Sequence, residues 1–264
     1  MWDRYFSVPS LEEAVAALAA GAGQARIVAG ATDLILELER GLRPGIRTLI
    51  DITRVPGMGE IVLGADGRIH LGPLVTHNQA AASPLIQARA FALARACWEV
   101  GAPQIRNRGT IAGNVITASP ANDSIPPLMA LDAHVTLRSA SGERRLPLSE
   151  FYTGVRKTVM RPDELMTSID FEPLPETGRS TFIKLALRRA QAVSVVNLAA
   201  AVVFDGSKVE RARLTLGSVA PTIVRASEAE TYLTGKNPTD EVIARAAELA
   251  AQASRPIDDV RGSA

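Results

Sequence analysis

The chain has 264 residues, with 29 Lys and Arg against 28 Asp and Glu, a net charge of +1, and an apolar fraction of 47%. That length fits one large domain or two modest ones, and the composition predicts a chain folded throughout. The near-neutral balance and the 11 aromatic residues argue against an electrostatic nucleic-acid partner and leave bases little to stack on.

The lone Cys97 excludes a disulfide framework, a CxxC redox pair and any intrachain cysteine-ligated zinc or iron–sulfur site. Met1-Trp2-Asp3-Arg4 lacks the basic-then-apolar architecture of a signal peptide. The longest apolar stretch, Ala190 to Phe204, is interrupted by Gln191, Ser194 and Asn197 and is shorter than the roughly 20 residues a membrane helix needs. A cytoplasmic protein with no membrane span is expected.

From the amino terminus, the pattern reads strand, helix, strand. Ser10-Leu11-Glu12-Glu13 is a capping box, and Leu11, Val15 and Leu18 follow at helical spacing as far as Gly21. Ile27-Val28-Ala29 is a β-like run ending in Gly30-Ala31-Thr32-Asp33, which leads into a second helical pattern, Leu34 to Arg40. Thr48 to Ile52 completes a β-α-β-α-β unit within about the first 55 residues.

Next, Ile61-Val62-Leu63 and Arg68 to Leu71 flank Ala65-Asp66-Gly67, a hairpin signal. One long helix is expected from Ser83-Pro84 to Val100, with Pro just inside its start and Gly101 just past its end. Residues 102–127 show little regular pattern, and connections that long are usually functional. Strands are expected around Val135 and Ile169, then a boundary near Pro173 to Gly178. Beyond it lie three strand-like runs, Thr181–Leu187, Val193–Phe204 and Val209–Val219, and two helical patterns, Ala226–Leu233 and Asp240–Ala253. The order predicts an α+β domain with a three-stranded antiparallel sheet carrying helices on one face.

The common catalytic signatures are missing: no GxGxxG, no phosphate-binding loop at Gly235-Lys236, no HExxH and no GxSxG. The three histidines, His70, His77 and His134, are scattered and read as structural or surface residues. Two glycine loops remain. In Val28-Ala29-Gly30-Ala31-Thr32-Asp33, small residues let the backbone approach a ligand, although the same pattern also makes an ordinary strand–helix turn. The second runs from Arg108 to Asp123 and packs two glycines, three Thr or Ser hydroxyls, two asparagines and a carboxylate into 16 residues. It contains no catalytic His, Lys or Cys. That chemistry suits a polyhydroxylated, phosphate-bearing ligand, or a polar Ω-loop that satisfies its own backbone.

Ala29-Gly30-Ala31-Thr32-Asp33, Thr110-Ile111-Ala112-Gly113-Asn114 and Ala118-Ser119-Pro120-Ala121-Asn122-Asp123 together resemble the FAD-binding medium subunit of molybdenum hydroxylases. Carbon monoxide and xanthine dehydrogenases belong to that group. The similarity spans essentially the whole chain, with Met129–Ala133 and Phe182-Ile183-Lys184…Arg188-Arg189 in the same order.

The resemblance implies a two-lobed FAD-binding domain over residues 1–175, made of two small α/β subdomains of about 1–55 and 56–175, and a carboxy-terminal cap over 176–264. It implies cofactor contacts from Ile27, Val28, Ala29, Gly30, Ala31, Thr32, Asp33 and Leu34 to the diphosphate and ribityl chain. Thr110, Ile111, Ala112, Gly113 and Asn114 take the other side, and Asp123 a ribose or ribityl hydroxyl. Met166 and Lys184 fall near the flavin ring, where a cation suits the charge that reduced flavin gains. Substitution of Asp123 is accordingly expected to weaken FAD retention without unfolding the chain.

It further implies an electron-transfer role: a molybdenum cofactor on a large partner, [2Fe-2S] clusters on a small partner, a dimer of heterotrimers, and discharge to NAD, a quinone or oxygen. No general acid or base and no metal ligand is nominated in this chain. Departures from the pattern are Ala31 where many relatives have Gly, Thr32-Asp33 where the carbon monoxide type has His-Ser, and Ala190–Val193 without a common acidic residue. The alternatives are a stand-alone FAD-dependent oxidoreductase, which needs its own proton-transfer group, and a flavin-free assembly subunit.

Overall fold

The computed structural model describes residues 2–259 and 262–264. Its first unit holds β1 (Arg4–Ser7), α1 (Leu11–Ala20), β2 (Ala25–Val28), α2 (Leu34–Glu39) and β3 (Thr48–Asp51). The strands are parallel in the order β1-β3-β2, as a β-α-β-α-β unit requires. Ser10 caps α1 by accepting from the Glu13 amide at 3.2 Å. Ala14 and Leu18 of α1 close over Ile50 in a small apolar core.

The second unit contains β4 (Ile61–Leu63), β5 (Ile69–Leu71), α3 (His77–Ala82), α4 (Pro84–Arg89), α5 (Phe91–Glu99), α6 (Pro103–Arg106), α7 (Ile111–Thr117) and α8 (Ile125–Ala130). It continues with β6 (His134–Ser139), β7 (Gly142–Pro147), the short pair β8 (Tyr152–Gly154) and β9 (Lys157–Thr158), and β10 (Leu165–Phe171). Five of these strands form an antiparallel sheet, β4-β5-β10-β6-β7. Two expectations change here. The helix expected over 83–100 is two helices, α4 and α5, broken at Ala90, whose φ of −153° is not helical. The freed backbone groups are taken up from a distance: Leu174 N donates to Arg89 O at 2.9 Å and Ala92 N to Ser180 Oγ at 3.0 Å. The patternless stretch 102–127 holds α6, α7 and the start of α8, each too short to show a periodicity.

The last unit contains β11 (Gly178–Ala186), β12 (Ser194–Asp205), β13 (Lys208–Gly217), β14 (Val224–Arg225), α9 (Ser227–Leu233) and α10 (Asp240–Gln252). Its antiparallel sheet runs β11-β12-β13-β14, the three expected strands plus a two-residue edge. Alternation along β12 sends Ala199, Ala201 and Val203 into the core shared with Leu93, Leu128 and Phe171. The other face, with Leu198, Val202 and Phe204, packs with Leu233 and Ala246 of the two helices. The small side chains of β12 let α8 lie close, where Thr215 Oγ1 donates to Pro126 O at 2.7 Å. Among the described residues, no helix is long and apolar enough to cross a membrane.

Candidate functional site

The two glycine loops are far apart in sequence and touch in space. A Cβ built on Gly30 would lie 2.0 Å from Arg108 O, so only glycine permits this approach of one loop backbone to the other. A short bridge fixes the second loop: His77 N donates to Gly109 O at 3.1 Å, and Ile111 N to Val75 O at 2.9 Å. Thr76 begins that bridge and forms a complete capping box with Gln79.

Between the loops opens a cleft of about 330 Å³, the size of a small-ligand site. Twelve of the sixteen residues nominated from sequence line it: Ile27, Ala29, Gly30, Ala31, Thr32, Asp33 and Leu34 from the first loop, Thr110, Ala112, Gly113 and Asn114 from the second, and Met166 from β10. Four do not. Strand alternation turns the Val28 side chain into the core beside Leu49, and Ile111 is fully buried in the main core. Asp123 and Lys184 lie outside the lining altogether.

The chemistry of the lining is that of an anion and hydroxyl receptor. Thr110 Oγ1 accepts from Gly113 N at 3.0 Å as the α7 cap, which leaves its hydroxyl proton free to donate elsewhere. Of the first amides of α7, Ile111 N donates to Val75 O and Gly113 N to Thr110 Oγ1, which leaves Ala112 N without an intrahelical acceptor; in α2, Ile35 N donates to Ala31 O and Leu34 N is left. Asn114 braces the loop from within, its Oδ1 accepting from Ser124 Oγ at 2.6 Å and its carbonyl from Asn122 Nδ2 at 2.7 Å. A β-bulge between Met166 and Ser168 locally re-aims β10 at the cleft edge. Asp33 has its pKa raised by burial first and by Glu37 second.

Several cleft residues escaped the sequence reading. Arg43 and Arg156 both pair with Glu37, at 2.8 Å and 3.3 Å, and Arg161 pairs with Glu164 at 3.1 Å. Arg26 also lines the cleft, yet among the described residues it has no carboxylate within ion-pair distance, and burial lowers its pKa. It directly precedes the nominated run Ile27–Leu34, so its position was the available signal. His77, set aside as structural or surface, is 2% exposed and lines the cleft; burial, with Arg106 adding to it, pushes its pKa down to about 4. Only tertiary packing reveals that placement.

Asp123 already has partners inside the protein. Its expected partner was a ligand hydroxyl, but Oδ2 accepts from Lys184 Nζ at 2.6 Å, and Oδ1 from Ser194 Oγ at 2.6 Å and Asn197 Nδ2 at 3.1 Å. Both side chains of the ion pair are almost fully buried. Burial outweighs these partners and raises the Asp123 pKa. The cluster joins the 118–124 loop to β11 and β12.

The residues present fit FAD. A glycine cradle that a Cβ would fill, a free hydroxyl proton, an unpaired guanidinium and an imidazole without a protein partner all converge on one cleft. The chain matches two family models: the FAD binding domain in molybdopterin dehydrogenase over residues 2–174, and the CO dehydrogenase flavoprotein C-terminal domain over 181–264. It is 35% identical over 98% of its length to the 6-hydroxypseudooxynicotine dehydrogenase complex subunit alpha of Paenarthrobacter nicotinovorans, covering 87% of that protein. It is 31% identical over 98% of its length to the carbon monoxide dehydrogenase medium chain of Hydrogenophaga pseudoflava, covering 90%. The solved carbon monoxide dehydrogenase of that organism superposes with a TM-score of 0.93 at 30% identity, covering all of this chain and 91% of that one. Quinoline 2-oxidoreductase from Pseudomonas putida 86 gives 0.91 at 28%, again over the whole chain and 90% of the other. The chain therefore belongs to the family of FAD-binding medium subunits of molybdenum hydroxylases.

Proposed function

We propose that this chain is the FAD-carrying electron-transfer subunit of a cytoplasmic, multi-subunit molybdenum hydroxylase. In this reading it accepts electrons from [2Fe-2S] clusters on a small partner and passes them to an external acceptor, with the molybdenum cofactor on a large partner. The names medium chain and complex subunit alpha borne by its relatives support the division of labour, and a dimer of heterotrimers is the assembly we propose. The observation that carries the reading is the cleft closed by two glycine loops, into which the Thr110 hydroxyl proton, the Arg26 guanidinium with no carboxylate partner and the His77 ring bring donors that the protein leaves over.

When bound, FAD supplies a carrier able to move electrons singly or in pairs. The chain's own residues hold and orient it. Loop amides and the Thr110 hydroxyl receive phosphate oxygens, Arg26 adds an unpaired positive charge, and Ile27, Leu34, Ala112 and Met166 supply the apolar wall. Residues 1–175 form the cofactor-binding domain and 176–264 the cap in this proposal. Asp123 and Lys184 act one step back, fastening the cap sheet to the loop that continues into the cleft.

The test is the colour and company of the purified protein. Absorbance in the flavin bands, release of FAD on denaturation and co-purification with molybdenum- and iron-containing partners are expected. A folded, colourless chain that ignores added FAD overturns the proposal. Full turnover by the isolated chain with its own reducing substrate would favour a stand-alone oxidoreductase instead.

A further inference from the structure

Among the cleft residues, His77 is the one whose polar atoms the protein leaves unserved. Its side chain is 2% exposed, its Nδ1 is buried without a hydrogen-bond partner, and no hydrogen bond from its ring to another described residue is formed. A side chain this deeply buried, with no hydrogen bond from its ring to the protein, can take a partner only from the cleft it lines, through the nitrogen on the edge that faces it.

Its position says which partner. The His77 backbone is tied to Gly109, and a Cβ built on Gly109 would lie 3.4 Å from His77 Cδ2 and 3.5 Å from Thr32 Oγ1. The Cδ2–Nε2 edge of the ring is therefore turned to the point where the two glycine loops meet. Nδ1 lies on the opposite edge, inside the protein. The charged group acting on the ring is Arg106 from α6, while Asp33, Glu37 and Arg26 line the same cleft. With its pKa held near 4, the imidazole is neutral at physiological pH and carries one N–H. A positive neighbour such as Arg106 disfavours a second proton on the ring without removing that first N–H.

We propose that His77 is a cofactor-contacting residue of this subunit, its Nε2–H donating to a phosphate oxygen of the FAD diphosphate at the junction of the two loops. The inference rests on the FAD-binding reading above and deepens it. Asp33 and Glu37 share the cleft, so a neutral donor at His77 adds a hydrogen bond to the anion and no titrating charge at working pH.

The chain contains only three histidines, which makes imidazole NMR of the flavin-free full chain tractable. At pH 7, titration with FAD is expected to move the His77 ring resonances and leave those of His70 and His134 in place. Riboflavin, which lacks phosphate, is expected to leave His77 unmoved. In fluorescence titrations, His77→Leu should weaken FAD binding by about ten- to a hundred-fold, the range for one lost hydrogen bond to a charged group. His77→Gln, whose amide nitrogen reaches the Nε2 position, should recover most of that loss. A His77 signal unmoved at FAD saturation, or moved equally by riboflavin, overturns the inference while the FAD reading stands. Failure of the unmodified chain to bind FAD overturns both.

Discussion

The cleft and the Asp123 cluster are built from similar residue types and end in opposite states. Around Asp123, every strong donor has found an acceptor inside the protein: one carboxylate takes hydrogen bonds from Lys184, Ser194 and Asn197. In the cleft, Thr110 retains a free hydroxyl proton, Arg26 has no carboxylate and His77 has no partner. Buried polar groups are mostly satisfied in stable cores, and in the Asp123 cluster the one left over is an acceptor, Asn197 Oδ1, not a donor. The unmatched set therefore marks where a ligand completes the hydrogen bonding, and the matched set marks a fastening between the loop and the cap sheet.

The largest effect that separates the two regions is expected from Asp123→Ala. Removing one partner strands the Lys184 ammonium, whose side chain is only 6% exposed. Breaking a buried pair from one side costs about 3–5 kcal/mol. Urea unfolding should show that loss, in contrast to the sequence-based expectation that only FAD retention would suffer. Adding Lys184→Met should recover part of it, since the uncompensated charge is then gone. If Asp123→Ala leaves the midpoint unchanged, the carboxylate is not the fastening described here and the contrast between the regions fails.

Gly30→Ala attacks the cleft in the same spirit. The added methyl meets Arg108 O, a backbone atom that no rotamer change can move aside. Overpacking of this kind costs about 1–3 kcal/mol, and the displaced loops should hold FAD at least about tenfold more weakly, one factor of ten being 1.4 kcal/mol. Equilibrium dialysis against FAD gives the second number directly. Unchanged FAD affinity in a folded Gly30→Ala protein would mean that the loop-to-loop contact does not shape the site.

How much of this could be read from the chain depends on the range of the interactions. The β-α-β-α-β unit was legible because its signals are local: Ser10 caps the amide three residues on, and the apolar positions of α1 sit at helical spacing. The glycine loops were legible for the same reason. The break at Ala90 was not, since no Gly or Pro stands near it and the groups that absorb it come from Leu174 and Ser180. Asp123 stood out as a polar residue in a glycine-rich loop, but its protein partners lie 61 to 74 positions away and no local pattern points to them. His77 sits on a helix of six residues whose burial is decided by the Gly109 contact, so nothing in its neighbours distinguishes it from His70 or His134.

Ala31 offers the finest test of the cleft, because it places an alanine where the backbone adopts a conformation that glycine takes freely. Its φ is +59°, in the left-handed region where a Cβ crowds the following carbonyl at a cost of roughly 1–2 kcal/mol. Ala31→Gly relieves that crowding, but glycine also makes the unfolded chain more flexible, which opposes the gain by about 0.4–1 kcal/mol. The net stabilisation should lie between about 0 and 1.6 kcal/mol, raising Tm by no more than about 3–6 °C for a chain of this size. Because Ala31 already holds the conformation that glycine adopts freely, the loop amides should stay where they are and FAD affinity should change less than about threefold, well under the tenfold step of 1.4 kcal/mol. Calorimetry and FAD titration on the same variant decide it. A Tm that falls would show that the left-handed turn is not strained, whereas a large change in affinity would show that the alanine methyl itself forms part of the cofactor wall.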